Sequence, residues 1–126
     1  MSNNRARILI IEDDQQVASY IEDVLTVAGF GIAGIATSAN EALVLVAQHL
    51  PQLALIDIQL PGAIDGIKLA SLIRVKFNVP AIFLSGLTDP DTMRRAEAAQ
   101  PFGFLQKPFV PSQVFNAIEL ALAAGS

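Results

Sequence analysis

The chain has 126 residues, the usual size of one domain, and 52% of them are apolar against 16% charged, a balance that suits a buried core and excludes a disordered tail. A net charge of −4, with eight Lys and Arg residues that nowhere form a run, argues against a surface for nucleic acid. Cysteine is absent, which excludes disulfides and thiolate metal sites, and the single His49 cannot build an imidazole cluster, so any metal must be held by oxygen, as a hard cation such as Mg²⁺ prefers.

The segment from Met1 to Arg7 is polar, with no apolar stretch behind its charges, and so does not read as a signal peptide. No apolar run approaches the ~20 residues that span a bilayer. A soluble cytoplasmic protein without membrane contact is expected, folded as a single domain over residues 1–126; Ser126 leaves no room for an effector domain, so the chain reads either as a stand-alone domain or as a piece of a longer protein.

Arg7–Ile11 (RILII) reads as a first strand. Gln15–Ala28 follows as a helix, with Val17, Ile21, Val24, Leu25 and Ala28 on one stripe and a stop before Gly29. Gly31–Ala36 (GIAGIA) is the second strand and, with its two glycines, the least strand-like of the set. The second helix opens at Ser38, with Glu41 at capping-box spacing, and ends before Pro51. Leu53–Ile58 (LALIDI) is the third strand, and Gly66–Phe77 the third helix, with Ile67, Ala70, Ile73 and Phe77 turned inward. Ala81–Ser85 (AIFLS) is the fourth strand. The fourth helix spans Asp89–Ala99, its Asp-Pro-Asp opening suited to capping and to a proline in the first turn. Phe102–Gln106 (FGFLQ) is the fifth strand, and a fifth helix from Pro111 to Ala124 places Val114, Phe115, Ile118 and Leu122 on its apolar face.

Strictly alternating βα units imply right-handed crossovers and an α/β fold, with a doubly wound parallel sheet covered by helices on both faces. The nearly continuous apolar runs of three strands agree with that double covering. Such a sheet places its ligand site beyond the C-terminal ends of the strands. There the first strand ends in Glu12, Asp13 and Asp14, the third holds Asp57, the fourth ends in Ser85-Gly86 and the fifth in Lys107-Pro108. Carboxylates gathered together repel unless a cation lies between them. An Asp carboxylate beside such a cation can attack a phosphoryl group in line, with Lys107 and Ser85 placed to stabilise its equatorial oxygens. Asp14 suits a helix cap. An unpaired structural acid within an apolar strand would be costly, which argues that Asp57 is there for chemistry.

On ILIIEDD at 8–14, ALIDIQLPGAIDGIKLA at 54–70, PAIFLSG at 80–86 and FLQKPF at 104–109, the sequence resembles the receiver domain of two-component response regulators, of the chemotaxis-regulator type, over Arg7 to Ala124. The resemblance implies a flavodoxin-like five-stranded sheet of order 2-1-3-4-5. It implies phosphorylation of Asp57, with Asp13 a direct Mg²⁺ ligand, Glu12 the neighbouring acid and Gln59 a ligand through its carbonyl. Ser85 is implied as the hydroxyl that moves toward the phosphoryl group, Gly86 as the small residue giving it room, and Lys107 as the partner of the phosphoryl oxygens, with a cis bond to Pro108. Phe104 falls on the switch position. The implied function is a signalling switch rather than a turnover enzyme, with self-catalysed phosphotransfer and autodephosphorylation. A histidine kinase or histidine phosphotransfer protein would charge it, and the surface of the fourth helix, fifth strand and fifth helix would then control a downstream effector protein or domain.

Some features depart from the family's pattern. The LPGAIDG loop is one residue longer than its common form, the switch position holds Phe rather than Tyr, and the last helix has no Lys or Arg for a salt-bridged dimer. Phe should favour the inward switch position even before phosphorylation. Two other classes fit less well: an aspartyl phosphatase would want an acid where Gln59 stands, and a flavin-binding protein would want a phosphate-cradling loop where the acids after the first strand stand. Asp65-Gly66 reads as a turn opening the third helix with no chemistry, His49 as a surface residue, and Arg94 and Arg95 as a solvated helix face.

Overall fold

In the computed structural model, which describes residues 6–86 and 88–124, five strands and five helices alternate. They are β1 (Arg7–Ile11), α1 (Gln15–Ala28), β2 (Gly31–Ala36), α2 (Ala39–His49), β3 (Leu53–Asp57), α3 (Gly66–Phe77), β4 (Ala81–Ser85), α4 (Pro90–Ala98), β5 (Gly103–Gln106) and α5 (Pro111–Ala124). All pairings are parallel, in the order β2-β1-β3-β4-β5. The doubly wound α/β expectation is therefore met, and element ends differ from the sequence reading by a residue or two at β3, α4 and β5. The expectations for residues 1–5 and for Ser126 lie outside the described residues. Among those described, no helix is long and apolar enough to cross a membrane.

Alternation along the strands divides the core in two. Leu9, Ile11, Ala54, Ile56 and Phe83 face α2 and α3, while Ile8, Ile10, Leu53, Leu55, Ile82 and Leu84 face α1 and α5. Every residue of β3 and β4 is buried, since each of these central strands has a helix layer on both faces. Burying one such aliphatic side chain stabilises the fold by about 1.5–3 kcal/mol. The glycine-rich β2 forms a full strand with a register shift opposite Ile8 and Leu9. Gly34 sits there at φ 154°, where a Cβ would lie 3.1 Å from the Leu45 side chain, so the glycine admits α2 close to the sheet.

Helix starts are set by side-chain caps. Asp14 accepts from the amides of Gln16 and Val17, Asp65 from Lys68, and Asp89 from Thr92. At α2, Ser38 accepts from the Glu41 amide at 3.2 Å, but the Glu41 carboxylate accepts from the amide of Thr37, one residue earlier than a capping box requires. On α5, Val114 and Ile118 are buried, whereas Phe115, expected inward, lies at the rim against Phe30 with ring centroids 6.1 Å apart.

Candidate functional site

The C-terminal ends of β1, β3, β4 and β5 meet at one edge, and the ladder hydrogen bonds run on past the strands to fix them. Glu12 donates its amide to Ala36 O at 2.9 Å, Ile58 to Leu84 O at 3.0 Å, and Lys107 to Ser85 O at 2.7 Å. Glu12, Asp13 and Asp57 each bring a carboxylate oxygen within 4.8 Å of the others. Glu12 is fully buried, Asp57 is 5% exposed and Asp13 is open to solvent. The Lys107 ammonium reaches the cluster from the side, 2.8 Å from Glu12 Oε1 and 3.5 Å from Asp57 Oδ2.

Each carboxylate is oriented by neighbouring backbone. Asp57 Oδ1 accepts from the Gln59 amide at 3.0 Å, and Glu12 Oε2 from the Asp14 amide at 3.1 Å. Burial pushes the Glu12 carboxyl above its ordinary range, an effect that the Lys107 ammonium and the Asp14 amide reduce without reversing. Partial burial opposes the charge on Lys107, but its bond to Glu12 and the charge of Asp57 outweigh this and hold its pKa above the usual lysine value. The cluster thus carries three acids against one ammonium, a surplus of negative charge in a mostly buried place.

That surplus fits a small hard cation. Glu12 Oε1 is buried and, apart from the ammonium beside it, meets no donor among the described residues. The Gln59 carbonyl accepts no hydrogen bond among the described residues either, and is free to act as a ligand. An all-oxygen set of carboxylates and a carbonyl, with one acid open to water, is the kind of donor set that Mg²⁺ takes.

The residues singled out from sequence fall unevenly around this centre. Ser85 is buried at the end of β4, one position beyond the Leu84 that pairs with Asp57. Gly86 is less telling: a Cβ there would meet nothing within 4 Å, so the room around it does not depend on glycine. The Lys107-Pro108 bond is cis, as expected. Phe104 packs on Phe83 with ring centroids 5.9 Å apart and is 37% exposed.

Two contributors escaped the sequence reading. Gly66 was assigned only a turn, yet its amide donates to Ile58 O at 3.2 Å and a Cβ on it would overlap the Asp57 carbonyl oxygen. Only glycine lets α3 start against the strand that holds Asp57. Tyr20 of α1 donates its hydroxyl to Phe109 O at 3.1 Å, tying α1 to the loop that follows Lys107. The Asp-Gly pair was a usable cue for the first; the second joins residues 89 positions apart and leaves no local trace.

Comparison with known proteins agrees with this geometry. The family model of the response regulator receiver domain matches residues 8–119. The chain belongs to that family. It is 35% identical over 117 residues to the transcriptional regulatory protein PdtaR of Mycobacterium tuberculosis, covering 93% of this chain and 57% of that protein. It is 30% identical to the DNA-binding response regulator MtrA of Mycolicibacterium smegmatis, covering 97% and 53% respectively. The chain therefore spans a little over half the length of these curated relatives. Among solved structures, the signal receiver domain of a modulated diguanylate cyclase from Desulfovibrio desulfuricans superposes with a TM-score of 0.92 at 31% identity, over 96% of both chains. A response regulator receiver of two-component systems is thus established by family and by fold, and its acidic pocket of Glu12, Asp13 and Asp57 is one that could hold a metal ion.

Proposed function

We propose that this receiver is a phosphoacceptor switch in which Asp57 takes a phosphoryl group from a phosphohistidine donor, a histidine kinase or a histidine phosphotransfer protein. What carries the reading is the cluster itself: three carboxylates within 4.8 Å of one another and an ammonium 3.5 Å from the nucleophile, at the C-terminal edge of a parallel sheet. Glu12, Asp13, Asp57 and the Gln59 carbonyl would hold Mg²⁺, which supplies charge neutralisation for the incoming phosphoryl oxygens.

An Asp57 carboxylate oxygen forms the new O–P bond as the P–N bond of the donor breaks, and the departing electron pair returns to the imidazole nitrogen. The Gln59 amide holds one oxygen of Asp57 and leaves the other beside Lys107. After transfer the Lys107 ammonium pairs with phosphoryl oxygens, and Ser85 donates its hydroxyl to one of them. The shallow pocket lined by Gln16, Val17, Tyr20, Lys107, Pro108 and Phe109 lies next to this edge and offers the donor a mostly apolar seat.

Hydrolysis of the acyl phosphate by the same site returns the domain to its resting state, so it is a self-modifying switch rather than a turnover enzyme. Movement of Ser85 and Phe104 would couple charge at Asp57 to the face formed by α4, β5 and α5, where a downstream effector protein or domain reads it. The receiver domain itself binds neither membrane nor nucleic acid in this reading, in keeping with its net charge of −4. A cytoplasmic setting, and a single receiver domain over residues 1–126, belong to the same reading.

The test is mass spectrometry after incubation with acetyl phosphate and Mg²⁺. One phosphoryl adduct should form on the wild type, vanish with Asp57→Asn and fall strongly with Asp13→Ala or with chelator. An adduct that persists on Asp57→Asn would overturn the assignment.

A further inference from the structure

Charge is distributed unevenly over the helices. α1 carries Glu22 and Asp23, α2 carries Glu41 and α5 carries Glu119, and none of the three has a Lys or Arg. α3 is the reverse, with Lys68, Arg74, Lys76 and no acid. Beside it, against α4, runs an open groove of about 670 Å³ with a floor of Ile64, Ile67, Leu72, Val75 and Ala98.

The solvent side of α3 is laid out with a simple period. Lys68, Leu72, Val75 and Lys76 stand at i, i+4, i+7 and i+8, one stripe of a helix. Val75 is 81% exposed and Leu72 37% exposed, a high exposure for apolar residues side by side on one groove. Neither Lys68 nor Lys76 has an ion-pair partner among the described residues. Across the groove Arg95 of α4 holds Asp65 at 2.9 Å. An apolar pair is thus bracketed by two free ammonium groups about 12 Å apart along the axis.

We propose that the groove between α3 and α4 is a docking site for an acidic amphipathic helix of a partner protein. Apolar side chains of that helix would cover Leu72 and Val75, and carboxylates one turn beyond either end of its stripe would meet Lys68 and Lys76. A second copy of this chain fits poorly, because a two-fold axis through the stripe would set Lys68 against the Lys76 of the copy. Nucleic acid fits no better: among the described residues no aromatic side chain lines the groove for stacking, and the chain as a whole is acidic. The proposal is independent of the phosphoacceptor reading, since it uses no residue of the Asp57 site.

The experiment is an NMR titration of the methyl-labelled full chain with a synthetic helical peptide of about 14 residues, bearing Leu at i, i+3, i+4 and i+7 and Glu one turn before and after. Saturable shifts are expected at Leu72 and Val75, equally in wild type and in Asp57→Asn. The Lys68→Glu/Lys76→Glu double variant, checked for an unchanged thermal midpoint, should bind about ten-fold more weakly, and a peptide with Lys in place of Glu should not bind. The proposal fails if no saturable shift appears, if the charge-reversed peptide binds equally, or if the shifts fall on α1 and α5. It also fails if the chain pellets with phosphatidylserine vesicles but ignores the peptide, or if sedimentation shows a dimer that the double variant dissociates.

Discussion

Phe83 and Phe104 are register partners on the neighbouring strands β4 and β5, with ring centroids 5.9 Å apart. Their environments could hardly differ more: Phe83 is fully buried, and Phe104 is 37% exposed. The difference comes from what lies above them. β4 is interior to the sheet and buried along its whole length, whereas β5 is its edge and buries only Leu105. The short α4, which contributes just Ala96 to the core beneath it, gives thin cover on that side. The molecule therefore keeps Asp57 on an interior strand and Glu12 just past the end of another, and sets Phe104 where movement displaces little packing.

The pair of phenylalanines offers the sharpest check. Phe83→Ala should destabilise the protein by about 3–5 kcal/mol, as removal of a buried aromatic ring does. Phe104→Ala should cost about 1 kcal/mol or less, and would still abolish any switching that depends on the ring. Urea denaturation of both variants measures this. Equal losses would mean that β5 is as firmly packed as β4 and that the edge is no place for a switch.

Gly66→Ala probes the interior side of the same contrast. The added methyl would overlap the carbonyl oxygen of Asp57, so β3 or the start of α3 must shift. Overpacking of this sort should cost about 2–3 kcal/mol. It should also lower phosphoryl uptake at Asp57 in the fraction that remains folded. A variant as stable and as readily phosphorylated as wild type would show that the loop before α3 yields easily and that β3 is not held rigid by it.

What the sequence revealed follows the same division. Interior strands announce themselves as apolar runs of five or so residues, and the acids at their ends stand out because a carboxylate beside such a run needs a reason. Glu12, Asp13 and Asp57 were legible for that cause, and Lys107 by the Lys-Pro pair that follows the fifth strand. Helix periodicity showed which face of α5 is apolar but not how far the neighbouring elements extend over it, so Phe115 was assigned inward and sits at the rim. Gly66 and Tyr20 were missed because close approach of backbones, and a hydrogen bond between α1 and the loop after β5, arise only once distant segments are packed.

The smallest expected effect concerns Asp65, which joins the two regions. It caps α3 by accepting from the Lys68 amide at 2.9 Å and holds Arg95 of α4 at 2.9 Å. Partial burial pushes its carboxyl up, but the Lys68 amide and the Arg95 guanidinium outweigh this and leave it below the ordinary value. A carboxyl whose folded pKa is depressed adds stability above its unfolded value, about 3.9, and loses it as pH falls through the folded value. Asp65→Asn is a suitable probe, since the amide oxygen can still cap the helix while the ion pair is gone. The variant should be slightly less stable than wild type at neutral pH, and the gap should close as pH falls from about 5 to below the folded value. Urea midpoints across that range measure it. A gap that stays constant with pH would mean that Asp65 acts through its cap alone, leaving α4 unanchored to the rigid centre by charge.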